Sequence, residues 1–95
     1  MLKHIVFINF NEPTEQLLIE TQQRLLSLQG KIEQLLSIEV GIDVLRSERS
    51  FDLALITVFD SLDAMKAYQV HPAHEEFLNY LAPIRKSSCC VDYEF

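Results

Sequence analysis

The segment Tyr68-Gln69-Val70-His71-Pro72-Ala73-His74 places two imidazoles and a phenol within seven residues. Imidazole is the side chain whose ordinary pKa lies nearest neutral pH, so it can take up or release a proton under physiological conditions. Pro72 fixes the local backbone and breaks the helix before it. The segment reads as the acid–base heart of a small enzyme or as a structural corner, and the residues alone leave both open.

His71 and His74 also stand three apart, a spacing that helices use for metal ligands, with His4 as a third nitrogen on that reading. The proline between them and the lack of a carboxylate in the motif weigh against that use, and no metal site is expected. Cys89 and Cys90 are adjacent. Neighbours in a strand point to opposite faces, so they are not expected to pair, and no Cys-X-X-Cys spacing supports redox chemistry. Two small apolar side chains in a reduced cytoplasm are the expectation.

The elements that must position these residues read in the order βαββαβ. Leu2 to Phe10 is β-branched and aromatic, a first strand. Glu12-Pro13-Thr14 starts a helix, and Leu17, Leu18, Thr21, Leu25 and Leu28 recur at spacings of three and four. Gly30 ends or loosens it, although Ile32, Leu35 and Leu36 carry the apolar stripe further. From Ile38 the period becomes two, with Val40, Ile42 and Val44 alternating against Glu39, Gly41, Asp43 and Leu45. Arg46 to Ser50 is a hairpin loop and Phe51 to Phe59 a third strand. Asp60-Ser61 caps a helix over Leu62 to Val70. A further helical piece after Pro72 turns Phe77, Leu78, Leu81 and Ile84 inward, and Cys89 to Phe95 is the last strand.

Ninety-five residues, 48% of them hydrophobic, make one domain over 1–95. Fourteen acids against eight bases give a net charge of −6, which argues against nucleic acid and an anionic membrane as partners. No apolar run approaches the ~20 residues of a transmembrane helix. Met1-Leu2-Lys3-His4 runs straight into a strand without the shape of a signal peptide, so the expected location is cytoplasmic.

Helical connections over a four-stranded antiparallel sheet cover one of its faces. The other should then be polar. The first strand is apolar on both: Ile5 and Phe7 on one side, Val6, Ile8 and Phe10 on the other. The third behaves likewise, with Leu53, Leu55 and Phe59 opposite Ala54, Ile56 and Val58. An uncovered apolar face calls for a partner, and a symmetric homodimer closed sheet to sheet is the expectation.

Lys3-His4-Ile5-Val6, Val40-Gly41, Phe51-Asp52, Phe59-Asp60-Ser61, Tyr68 through His74 and Val91-Asp92-Tyr93 together resemble the stress-responsive A/B barrel domain family over nearly the whole chain. The resemblance implies a ferredoxin-like α+β subunit with a four-stranded antiparallel sheet that dimerises into an α/β barrel. It does not imply one activity, since some members are known chiefly as stable, stress-induced proteins. One branch, that of the plant olivetolic acid cyclases, closes a linear polyketide by intramolecular aldol condensation. Its first-strand histidine matches His4, its helical tyrosine Tyr68, its general-base histidine His74, and the aspartate that orients this base Asp92. Two further positions depart: a third-strand histidine falls at Leu53, and a first-helix tyrosine at the region of Leu25.

On this resemblance the candidate catalytic residues are His74 as base, Asp92 holding its other ring nitrogen, and Tyr68 and His4 donating to substrate oxygens. The expected ligand is a small, partly apolar carbonyl or aromatic metabolite. It would sit in a pocket of a few hundred Å³ contacted by His4, Tyr68, His71 and His74, with no cofactor. A structural His74–Asp92 pair, a satisfied core His4 and a non-catalytic stress or interaction dimer stand beside this reading. His71 would then serve a turn or a dimer edge.

Overall fold

The computed structural model describes all 95 residues, Met1–Phe95. The elements are β1 (Leu2–Phe10), α1 (Glu15–Leu26), β2 (Ser37–Ile42), β3 (Leu53–Phe59), α2 (Leu62–Gln69), α3 (Pro72–Leu81) and β4 (Arg85–Glu94). The strands form one antiparallel sheet in the order β2-β3-β1-β4, a ferredoxin-like α+β arrangement.

Residues directly opposite in antiparallel strands share a face. His4 lies opposite Thr57 on β3 and Asp92 on β4, so Asp92, His4 and Thr57 form one row across the sheet. That row belongs to the face the helices cover. Leu2, Ile8, Phe10, Leu53, Leu55 and Phe59 share the face, and with Leu18 and Leu25 of α1, Met65 and Tyr68 of α2 and Phe77 and Leu81 of α3 they enter one core cluster.

Each helix begins on a side chain that satisfies an early backbone amide. Thr14 Oγ1 accepts from the Leu17 N–H at 3.2 Å and Ser61 Oγ from Ala64 at 3.1 Å. His71 does the same for α3, its Nδ1 accepting from the Ala73 N–H at 3.0 Å, while Pro72 occupies the first turn, where no amide is needed.

Several boundaries differ from the sequence pattern for identifiable reasons. α1 stops at Leu26 and turns follow, with Gly30 at φ 88°, a conformation that favours glycine. Ile32 and Leu35 still reach the core, so the apolar stripe continues where the helix does not. β2 stops at Ile42, because Asp43 Oδ2 accepts from the Arg46 N–H at 2.7 Å and Arg46 takes φ 57°. Val44 is left 93% exposed and Leu45 76%. β3 starts at Leu53 and not Phe51, because Asp52 turns inward: its carboxylate accepts from the Phe10 N–H and from Arg46 Nη2, both at 2.8 Å. Leu78, expected inward, is exposed, and β4 begins at Arg85, well before Cys89.

No helix covers the opposite face of the sheet. Phe7, Val91 and Tyr93 are exposed there, and Ile5, Ala54, Ile56 and Val58 are partly exposed. β4 is exposed along its whole length. No helix is long and apolar enough to cross a membrane.

Candidate acid–base site

Four elements converge on the covered face near its β4 edge. β1 brings His4, β4 Asp92, α2 Tyr68 and α3 His74. The antiparallel register sets His4 beside Asp92, and His4 Nδ1 is hydrogen-bonded to Asp92 Oδ1. A carboxylate oxygen only accepts, so Nδ1 carries the proton and the neutral ring keeps its lone pair at Nε2. His4 is itself buried, and its backbone carbonyl accepts from Thr57 Oγ1 at 3.2 Å.

Tyr68 lies deepest. It is fully buried, its ring 4.9 Å from that of Phe59 and 4.5 Å from that of His74. Its hydroxyl has no protein partner, which is rare for a buried phenol. Burial, with no compensating contact, pushes its pKa up to about 12, so the group is a proton donor at any ordinary pH.

His74 is half-buried at the start of α3. Its Nδ1 donates to the Gln69 carbonyl at 3.1 Å, which again leaves Nε2 with the lone pair in the neutral ring. Burial lowers the His74 pKa below its ordinary value. The Gln69 carbonyl pulls the other way, the charge of His4 lowers it further, and Glu75 raises it.

One expectation about this cluster needs correction. Asp92 serves His4, not His74. The register of β1 against β4 decides the carboxylate's partner, whereas His74 finds its own in the last turn of α2. Gln69 and Thr57, which fix the two histidines from the backbone side, carried no functional signal in the sequence beyond the helix break at Pro72 and a polar residue within an apolar strand. His71 has a capping role that the motif did not spell out: its Nδ1 is engaged at the start of α3, which leaves Nε2 as the ring atom open to a ligand. No group of three His, Cys, Asp or Glu side chains is arranged to hold a metal ion.

Five surface depressions of about 150 to 400 Å³ lie elsewhere on the molecule and are not lined by His4, Tyr68 or His74. The cluster reaches solvent at its rim, where the Asp92 side chain is 31% exposed beside the uncovered β4 edge. Leu25 and Leu53 are fully enclosed core residues.

Among solved structures, the chain is similar to a dimeric protein of unknown function with a ferredoxin-like fold from Bacteroides fragilis. The two are 32% identical with a TM-score of 0.83 over 99% of this chain and 95% of that one. A dimeric ferredoxin-like protein of unknown function from Thermobifida fusca is 25% identical, with a TM-score of 0.85 over 99% of this chain and 90% of that one. The hydroxynitrile lyase of Passiflora edulis shares the fold, with a TM-score of 0.82 and 20% identity over 97% of this chain and 90% of that one. No curated protein matches the chain. The model of the stress responsive A/B barrel domain matches residues 2–95. On a match of that extent, laid over a ferredoxin-like four-stranded sheet, the chain belongs to the stress responsive A/B barrel domain (Dabb) family.

Proposed function

We propose that His4, Asp92, Tyr68 and His74 form an acid–base site for a small, partly apolar carbonyl compound, working without a cofactor. One observation carries this reading: the buried Tyr68 hydroxyl has no protein partner, its ring lies 4.5 Å from that of His74, and His74 and His4 are each anchored at Nδ1 and free at Nε2. Such a phenol is a hydrogen-bond donor available to a substrate oxygen, and either imidazole can act as the base on a carbon next to a carbonyl. Asp92 stabilises the imidazolium of His4 once formed, which favours His4 as base. The proton that His4 takes from carbon returns from its imidazolium to the product oxygen, while His74, the weaker base because burial lowers its pKa, orients the substrate by accepting a hydrogen bond at Nε2. Aldol-type cyclisation and the reversible addition that a lyase catalyses both use these steps.

The uncovered, apolar sheet face is proposed to close against a second copy; the similar proteins from Bacteroides fragilis and Thermobifida fusca are dimeric, which supports a homodimer. A sedimentation mass of one chain at micromolar concentration would remove the homodimer. We place the protein in the cytoplasm, where the exposed thiols of Cys89 and Cys90 stay reduced.

A non-catalytic, stress-related dimer is the second reading, and the complete burial of Tyr68 within the core favours it. NMR titration of the three histidines against small β-diketones and aromatic acids separates the two. Ring resonances of both His4 and His74 that move saturably with one compound support the acid–base site. Titration curves unchanged across the panel, with thermal unfolding far above the usual mesophile range, would leave the durability role.

A further inference from the structure

The other face of the sheet carries a depression that the acid–base cluster does not use. Its floor is Gly41 on β2 beside Ala54 on β3, which are direct partners in the sheet register. Phe7 on β1, directly opposite Ala54, and Phe51, before β3, wall it, their ring centroids 6.0 Å apart. The volume is about 370 Å³, within the range of small-molecule sites.

Gly41 has no reason within its own chain. Its φ is not positive, and a Cβ built there would meet nothing within 4 Å. Glycine weakens a strand interior, and it marks places where another body approaches the backbone closely. Here no such body belongs to the same chain.

The rim carries opposite charges that are unequally engaged. Asp43 Oδ2 accepts from the Arg46 N–H at 2.7 Å and faces the Arg46 guanidinium at 3.6 Å. Arg49 makes no ion pair and no side-chain hydrogen bond. In a chain of net charge −6, an unpaired guanidinium at the edge of an aromatic-walled hollow is the one group there that draws an anion.

We propose that this depression binds a small amphipathic carboxylate, its acid group on Arg49 and its apolar body over Gly41 and Ala54 between Phe7 and Phe51. The site lies on the opposite side of the sheet from His4 and Tyr68, so it stands or falls separately from the acid–base reading. A second copy packed on this face would roof the ligand.

The test uses 4-phenylbutyrate and its uncharged amide as probes of the intact protein, followed by ¹⁵N–¹H correlation spectra. The acid should shift the Gly41 and Ala54 amides saturably, and the amide should bind at least fivefold more weakly. Arg49→Gln should weaken the acid by a similar factor and leave the amide unchanged. Gly41→Val suits a strand better and meets no clash, so it should fold normally and abolish binding of both probes. Equal binding of acid and amide, no saturable shift at millimolar acid, or shifts confined to His4, Tyr68 and His74 would overturn the proposal. So would a Gly41→Val protein that still binds the acid but loses its dimer, because a second copy would then fill the hollow.

Discussion

Tyr68→Phe is expected to make the protein more stable while removing the donor on which the proposed chemistry depends. The hydroxyl is fully enclosed and has no partner, so folding strips it of water and returns nothing. An unsatisfied buried polar group costs about 1–3 kcal/mol. Removing the oxygen leaves the ring packing against Phe59 and His74 in place and opens only a small void, so the net gain should be about 1 kcal/mol. For a chain of this size that corresponds to a rise in Tm of roughly 4–8 °C. Urea and thermal denaturation of the two proteins at pH 7 measure it directly. The alkaline limb gives an independent reading. The Tyr68 pKa is near 10 unfolded and about 12 folded, so between those values the native state binds more protons than the unfolded chain. The stability is fully present below pH 10 and is lost as the pH rises through 12. Two pKa units amount to about 2–3 kcal/mol. This fall should be missing from the Phe variant, apart from a residue contributed by Tyr80, whose pKa burial also raises. A Phe variant destabilised by about 1 kcal/mol or more, with the alkaline limb unchanged, would show that the hydroxyl has a partner and would refute the reasoning.

Asp92→Asn should release His4 from its Nδ1–H tautomer and leave His74 as it is, which long-range ¹⁵N spectra of the rings distinguish; a response at His74 alone would reassign the carboxylate. Because the Asp92 side chain is 31% exposed, the accompanying loss of stability should not exceed about 1 kcal/mol. His74 has a lowered pKa in the folded state, so the unfolded chain binds more protons just below pH 6.5 and stability should fall as the pH drops from there; His74→Gln should flatten that slope in denaturation curves taken between pH 7 and 5. Asp52→Ala should cost about 2–3 kcal/mol in urea denaturation, since it strands the buried Phe10 amide and frees Arg46, and a loss within ~0.5 kcal/mol of zero would mean that the loop between β2 and β3 is held by other contacts.

The sequence by itself determined the order of elements, because each is written locally. The β-branched and aromatic runs of β1 and β3, the two-residue alternation of β2, the three-and-four spacing of Leu18, Thr21 and Leu25, and the Ser61 and Pro72 helix starts are properties of neighbours along the chain. The presence of apolar residues on both faces of β1 and β3 was equally legible, and it pointed to the open face that the structure displays. Boundaries that depend on distant partners were not. β2 ends and β3 begins where they do because Arg46 reaches Asp52 and Asp52 reaches Phe10, contacts between segments with no common pattern. The candidate site divides in the same way. The residue types at His4, Tyr68, His74 and Asp92 could be chosen from the sequence with the help of a family resemblance, but their partners could not. A one-residue slip between β1 and β4 would turn Asp92 to the other face, so the His4–Asp92 pair exists only through strand register. The free hydroxyl of Tyr68 likewise follows from the packing of α2 over β1 and β3, because whether a polar atom meets a partner depends on every surface that closes around it.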